Sequence, residues 1–406
     1  FGKIRASWAR VGNDAPPYFV DPVFRQAAHT DGFGFFTFPT STGVNAYQAG
    51  AFIGNSDLKP EMTSEYELGV DLRFLNNRIA FDLAYYDKKI DDLIWASPIA
   101  STSGNLFQMQ NLGTMQNYGF EVLVKVVPVQ KARFEWEMTF NYTRNFNKLV
   151  SLNNKLEKAE LNALRIDGGQ QIQWVAIPGE PVGVFEARGP RYSPQGKLLV
   201  NNQGLPIANT ELRPYGTSQY DYFGGFTNTF TFFGFSLRAH FDFRMGGIMY
   251  SRTKDITLWA GTVPETLYNN REPFIIPNSV YEVGRDENGQ AIYAENTIPI
   301  DRVKLNEYWA NGGIEMDGAS FIDKSFIKLR EISFGYSISR TKAGFLPVEN
   351  LYLGITAKNS WLWTPEDQTY IDPELTTFGN DLGADFGEYG AQPSVKSISF
   401  NMKIDF

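Results

Sequence analysis

The chain has 406 residues, no cysteine, 15% aromatic residues and a net charge of -8. The acidic balance (pI near 5.1) argues against a nucleic-acid backbone as partner, and the missing thiols exclude disulfides, thiolate metal sites and cysteine nucleophiles. Mean hydropathy is -0.29 and no run approaches the ~20 apolar residues of a spanning helix, a test that does not apply to membrane-spanning strands.

Ten segments alternate apolar and polar residues with period two: 2–11, 63–75, 78–95, 112–127, 133–145, 222–232, 235–250, 325–338, 349–362 and 394–406. The first opens at Phe1 already in a strand pattern, which reads as the middle of a longer polypeptide. In the second, Tyr66, Leu68, Val70, Leu72 and Phe74 share a face opposite Glu67, Asp71 and Arg73. The pattern continues through Phe81 and Leu83, through Phe120, Val122 and Val124, through Trp136, Met138 and Phe140, and through Leu237, Phe241 and Phe243. None of these positions is charged. The other face carries Glu121, Lys125, Arg238, His240, Asp242 and Arg244, expected to line a watery lumen. Asn228 is an exception on the apolar side, and the phase slips near Arg330-Glu331, which predicts a bulge.

The links alternate in length. Short ones are expected at Asn76-Asn77, around Pro128, at Phe233-Gly234 and over 339–348. Long ones cover 12–62, 96–111, 146–221, 251–324 and 363–393. A soluble sandwich has no reason to sort its loops in this way. A transmembrane antiparallel β-barrel does, with short periplasmic turns and long extracellular loops. Two pieces of the loops read as folded: Leu198-Leu199-Val200, and a hairpin at Asp286-Glu287-Asn288-Gly289.

Several segments carry a family resemblance. Asn55-Ser56-Asp57-Leu58-Lys59-Pro60-Glu61 leads into Tyr66-Glu67-Leu68-Gly69, and Asn111-Leu112-Gly113 into Asn117-Tyr118-Gly119-Phe120-Glu121. Further on come Gly224-Gly225-Phe226-Thr227-Asn228 and Phe326-Ile327-Lys328-Leu329-Arg330 with Gly335-Tyr336. In this order they resemble the SusC/RagA family of TonB-dependent outer-membrane transporters of the Bacteroidetes. The resemblance implies that residues 1–406 are about ten C-terminal strands of an all-β barrel of about 22 strands, with the plug and earlier strands outside this sequence. It implies import of oligosaccharides or oligopeptides across the bacterial outer membrane, energised through TonB. It also implies a SusD-like surface lipoprotein as lid and a dimer of transporter–lipoprotein pairs, with no cofactor and no enzymatic step.

Within the loops, Trp174, Trp259, Trp309, Tyr370 and Asp372 are the expected substrate contacts, because sugar rings stack on indoles and peptides pack against them. Asp372, Glu374, Asp381 and Asp385 could gather around an ion, and Trp361 and Trp363 suit a membrane girdle. Phe406, a terminal aromatic after alternating apolar residues, reads as an outer-membrane assembly signal. The competing readings are a passive porin, an adhesive or structural surface barrel, and an outer-membrane enzyme; for the last, a Ser-His-Asp arrangement would have to use His29 or His240, and the 45 acidic residues allow many carboxylate pairs, none singled out by spacing.

Overall fold

A computed structural model describes the chain except for residues 16, 31–33, 154–155, 166–170, 340–348, 366–367, 369–370 and 380–381. All ten expected segments form strands of one antiparallel sheet: β1 (Gly2–Asn13), β2 (Glu61–Phe74), β3 (Ile79–Asp91), β4 (Gly113–Lys131), β5 (Phe134–Leu152), β6 (Tyr222–Phe232), β7 (Phe235–Met245), β8 (Phe326–Ser339), β9 (Asn350–Trp363) and β10 (Ser397–Asp405). Each strand pairs with its neighbours in sequence, from β1 to β10, and β1 and β10 are the two edges.

The pairing aligns the apolar faces. Gly2, Leu72, Phe81, Val124, Phe140, Phe226, Phe241, Leu329 and Trp361 are successive partners across nine strands. The adjacent row runs Lys3, Asp71, Asp82, Leu123, Asn141, Gly225, Asp242 and Lys328 on the opposite face. A slip of one residue in any strand would exchange the two faces, so the register is strongly specified. Apolar side chains of the outer face stay accessible, with Tyr66 at 63%, Leu68 at 53% and Phe400 at 84% exposure. Asn228 lies on this face and accepts a hydrogen bond from the Trp136 indole nitrogen at 3.1 Å. The pair satisfies itself where lipid offers no partner.

The bulge expected near Arg330 is present. Residues 329 and 331 face consecutive residues of β7, and the pairing with β9 shifts at the same point. Two of the short turns depart from expectation. The link between β2 and β3 is four residues, Leu75 to Arg78, because Phe74 pairs with Ile79 and Leu75, Asn76 and Asn77 all take left-handed φ. Pro128 is inside β4 rather than in a turn. It sits at a bulge between Val126 and Val129, where its missing N–H costs no ladder bond, and the chain reverses at Ala132-Arg133. The Arg78 guanidinium donates to the carbonyls of Val127 and Pro128 at 2.6–3.1 Å, tying this bulge to the neighbouring turn. Phe233-Gly234 turns with both residues at positive φ, as its strand-to-strand spacing predicts. Most of the fourth link, 339–348, lies outside the described residues.

Most of the buried core of the described residues is in the loops. Ile172, Trp174, Phe185, Ala187, Tyr250, Phe321 and Phe386 pack together from three different long links. Leu198, Val200, Ile276, Ile300, Leu305 and Tyr308 form a second cluster. A third cluster joins Leu149 of β5 to Leu112, Ala159, Ala176 and Val182. A four-stranded sheet spans 159–217, and 248–251 pairs with 321–323 and 387–388. Leu198-Leu199 pairs in parallel with Ser279-Val280, and the hairpin at 286–289 forms. The loops are therefore a folded cap at the long-link end of the sheet. Two short helices, α1 (Arg252–Trp259) and α2 (Arg302–Ala310), belong to it. The Glu388 carboxylate is fully buried and accepts from Ser251 Oγ at 2.6 Å and from the Thr253 backbone at 3.0 Å, fixing the start of α1.

Candidate functional site: the barrel mouth and its cap

On the inner face, charged side chains pair across strands. Lys125 and Glu137 approach to 2.7 Å, Arg5 and Asp82 to 2.5 Å, and Arg238 and Glu331 to 4.0 Å. Glu121 lies exposed on this face. His240 Nδ1 is 2.8 Å from Thr227 Oγ1, and Asp242 is engaged elsewhere by Arg330, so no His–Asp dyad forms there.

The densest cluster joins β7 and β8 to the last long link. Arg330, displaced by its bulge, reaches Asp242 at 2.6 Å and Glu374 at 2.5 Å. Lys328 is 1% exposed and lies 2.6 Å from Asp372 and 2.7 Å from Glu374. Arg244 stands 3.9 Å from Glu374, and Ser394 donates to Asp372. The two cations hold the Glu374 carboxyl down at about 2, against the desolvation that would raise it. Further into the cap, buried Lys324 donates to the Ser218 carbonyl at 2.9 Å and to Asp385 at 3.0 Å. Burial pushes its ammonium below the usual lysine value, and Asp385 opposes that.

These contacts correct two expectations. Asp372, Glu374 and Asp385 do not gather around an ion; each carboxylate is taken by a lysine or arginine, and Asp381 lies outside the described residues. Asp372 is 5% exposed and its carboxylate is taken by Lys328, so it holds the loop to β8. Trp174 is corrected likewise: it is fully buried, with ring centroids 6.3 Å from both Phe185 and Phe386. Its place is set by packing across three links, which no local pattern announces. Tyr370 lies outside the described residues. Asp286 uses its carboxylate locally, accepting from the backbones of Asn288 and Gln290, as a plain turn does.

Trp259 and Trp309 do come together. They line one cleft of about 480 Å³ with Asn270, Glu272, Arg302 and Asn306. Trp259 ends α1 and is 59% exposed. Trp309, near the end of α2, stands edge-on to Tyr308 with centroids 4.8 Å apart. Asn306 donates to the Trp259 carbonyl at 3.3 Å, and Arg302 pairs with Glu272, which ties the two walls of the cleft together. Its rim is built on Asn269, Asn270 and Arg271, three consecutive residues at φ 48, 53 and 60. The Arg271 guanidinium stabilises this left-handed turn by donating to the Gly261 carbonyl at 2.7 Å. An exposed indole, a second aromatic wall and several amide and charged groups can hold a polar oligomer by stacking and hydrogen bonds.

Sequence reasoning missed Lys328, Arg330, Glu374 and Lys324 as a group. The available signal was a pair of cations at the predicted bulge with an acidic stretch, Asp372 to Glu374, in the following loop.

The family model of the TonB dependent receptor-like β-barrel matches residues 2–217, just over half of the chain. The chain belongs to the TonB-dependent receptor family. TonB-dependent receptor P3 of Formosa agariphila is 24% identical over 87% of the chain, and SusC of Bacteroides thetaiotaomicron is 30% identical over 37% of it. The matched part spans 35% of the first relative and 15% of the second. A solved RagAB peptide transporter superimposes over the whole chain with a TM-score of 0.68 at 18% identity, covering 41% of that structure. The SusC/RagA resemblance and the barrel fold are borne out, and this receptor chain is an outer-membrane protein whose relatives are receptors and transporters. The outer face of its strands therefore meets lipid and the inner face water.

Proposed function

We propose that this receptor chain is the mouth and wall of an importer for oligomeric nutrients, oligosaccharide or oligopeptide, that works with a SusD-like surface lipoprotein and draws energy through TonB. The single observation that carries this reading is the folded cap: three long links share one core, and the link between β7 and β8 carries the Trp259–Trp309 cleft. A passive pore has little use for so large a packed structure at its entrance. The similarity in fold to the RagAB peptide transporter supports the oligopeptide end of that range. The unpaired edges of β1 and β10 favour completion of the barrel by strands outside this sequence, to about 22 in all. Phe406 is 87% exposed beyond β10, accessible to the machinery that inserts barrels. A Phe406→Asp variant is expected to reach the outer membrane at reduced levels; undiminished levels would contradict that role.

Uptake by cells carrying the complete receptor tests the main reading. A Trp259→Ala, Trp309→Ala variant should import one class of labelled oligomer, glycan or peptide, about tenfold less at unchanged surface levels, and loss of TonB should abolish uptake. Unchanged uptake of every oligomer by the variant would remove the cleft from the pathway, and uptake independent of TonB would favour a passive pore.

A further inference from the structure

The outer face of β6 to β10 carries no charged side chain among the described residues, as alternation and pairing show. The outer face of β1 to β5 differs near its long-link end. Trp8, Tyr66, Asp87, Tyr118 and Phe146 are successive cross-strand partners, and the Tyr118 and Phe146 rings stack at 5.1 Å. This is an aromatic row at the edge of the hydrocarbon. Two residues further toward the long links, the partners are Arg10, Ser64, Lys89, Gln116 and Lys148. Arg144 faces the same way, with its guanidinium 4.6 Å above the Phe146 ring.

The acids on this panel are engaged. Asp87 accepts two hydrogen bonds from Gln116, and Asp91 lies 3.0 Å from Lys89 and accepts from Thr114. Four cations (Arg10, Lys89, Arg144, Lys148) against two acids (Asp87, Asp91) leave a local charge of +2 on a chain whose net charge is -8. In the basic row, cations alternate with a hydroxyl and an amide, and successive cations stand two strands apart, about 10 Å. That is roughly the span of a disaccharide, with hydroxyl-binding groups between anion-binding ones.

A soluble acidic partner would meet the cap; a side wall just beyond the aromatic row meets the headgroups of the outer leaflet. We propose that β1 to β5 hold a phosphorylated glycolipid of that leaflet, its phosphates on Arg10, Lys89 and Lys148 and its sugar hydroxyls on Ser64 and Gln116. The inference rests on the outer-membrane location and is independent of what the receptor imports.

Native mass spectrometry of the complete, delipidated receptor tests it, with bisphosphorylated lipid A, its dephosphorylated form and inorganic phosphate as probes. The receptor should retain the bisphosphorylated lipid, and an Arg10→Gln, Lys89→Gln, Lys148→Gln variant should bind it about a hundredfold more weakly. Equal retention of both lipid forms, or by receptor and variant, would overturn the proposal. So would displacement of the lipid by millimolar inorganic phosphate, which would indicate a site for free anions. If the triple variant does not fold, the two lipid forms on the unaltered receptor decide alone.

Discussion

At the scale of single residues, the charges that matter most are those the wall turns inward. Lys328 is buried with two carboxylates within 2.7 Å, and Arg330 bridges Asp242 to Glu374. A buried pair is weak evidence of net stabilisation, but removing one partner leaves an uncompensated charge and costs about 3–5 kcal/mol. Arg330→Ala is therefore expected to loosen the last long link from the mouth, read as faster proteolysis within 364–396 while the strands stay protected; an unaltered cleavage pattern would count against the anchor. The pH dependence follows from Glu374. Its carboxyl is depressed from 4.5 to about 2 in the fold, so its contribution is fully present above about 4.5 and is lost as the pH falls toward 2. The anchored link should remain protected at pH 4 and release near pH 2, and Glu374→Gln should remove that step.

At the scale of elements, the strands were legible in the sequence, and of the cap only the strand at Leu198-Leu199 and the hairpin at 286–289 were. Period-two alternation is a local signal, so Phe120, Val122 and Val124 could be assigned to one face without knowing their neighbours. The bulge at Arg330 showed as a phase slip for the same reason. Pro128 misled because proline usually marks a turn, whereas here a bulge absorbs it. Trp174 misled because its partners Phe185 and Phe386 come from different links, and no periodicity records a contact made at long range. Trp259 and Trp309 were legible as residue types only; the packing of α1 beside α2 is what makes them a pair. The face assignment makes a simple prediction on β4. Val124→Arg, which faces lipid, should destabilise the barrel by about 2–4 kcal/mol, whereas Leu123→Arg, facing the lumen beside Asp82, should cost little. Denaturant titrations of the folded receptor would separate them, and equal costs would contradict the two-faced wall.

At the scale of the whole molecule, the architecture divides labour. The wall buries few apolar side chains among the described residues, chiefly Leu149 and Phe326 where its long-link end meets the cap, because its apolar face is solvated by lipid. The cap does have one, built from Trp174, Phe185, Tyr250 and Phe386, and so holds its shape where the chain meets the outside. The lumen charges connect the two, fastening cap to wall through Lys328, Arg330 and Glu374. Selectivity can then reside in the cap without disturbing the scaffold, which explains how strands conforming to one simple pattern can carry links as long as 153–221 and 246–325.

The most direct test of this account uses the absence of cysteine from the chain. Single cysteines introduced in turn at residues 136–142 of β5 in the complete receptor, spin-labelled in a bilayer, would report collision with oxygen, which dissolves in lipid, and with a polar nickel chelate. Positions 136, 138, 140 and 142 are predicted to favour oxygen, and 137, 139 and 141 the chelate, in strict alternation. A profile without alternation, or with the two sets exchanged, would contradict a wall that faces hydrocarbon on one side and water on the other.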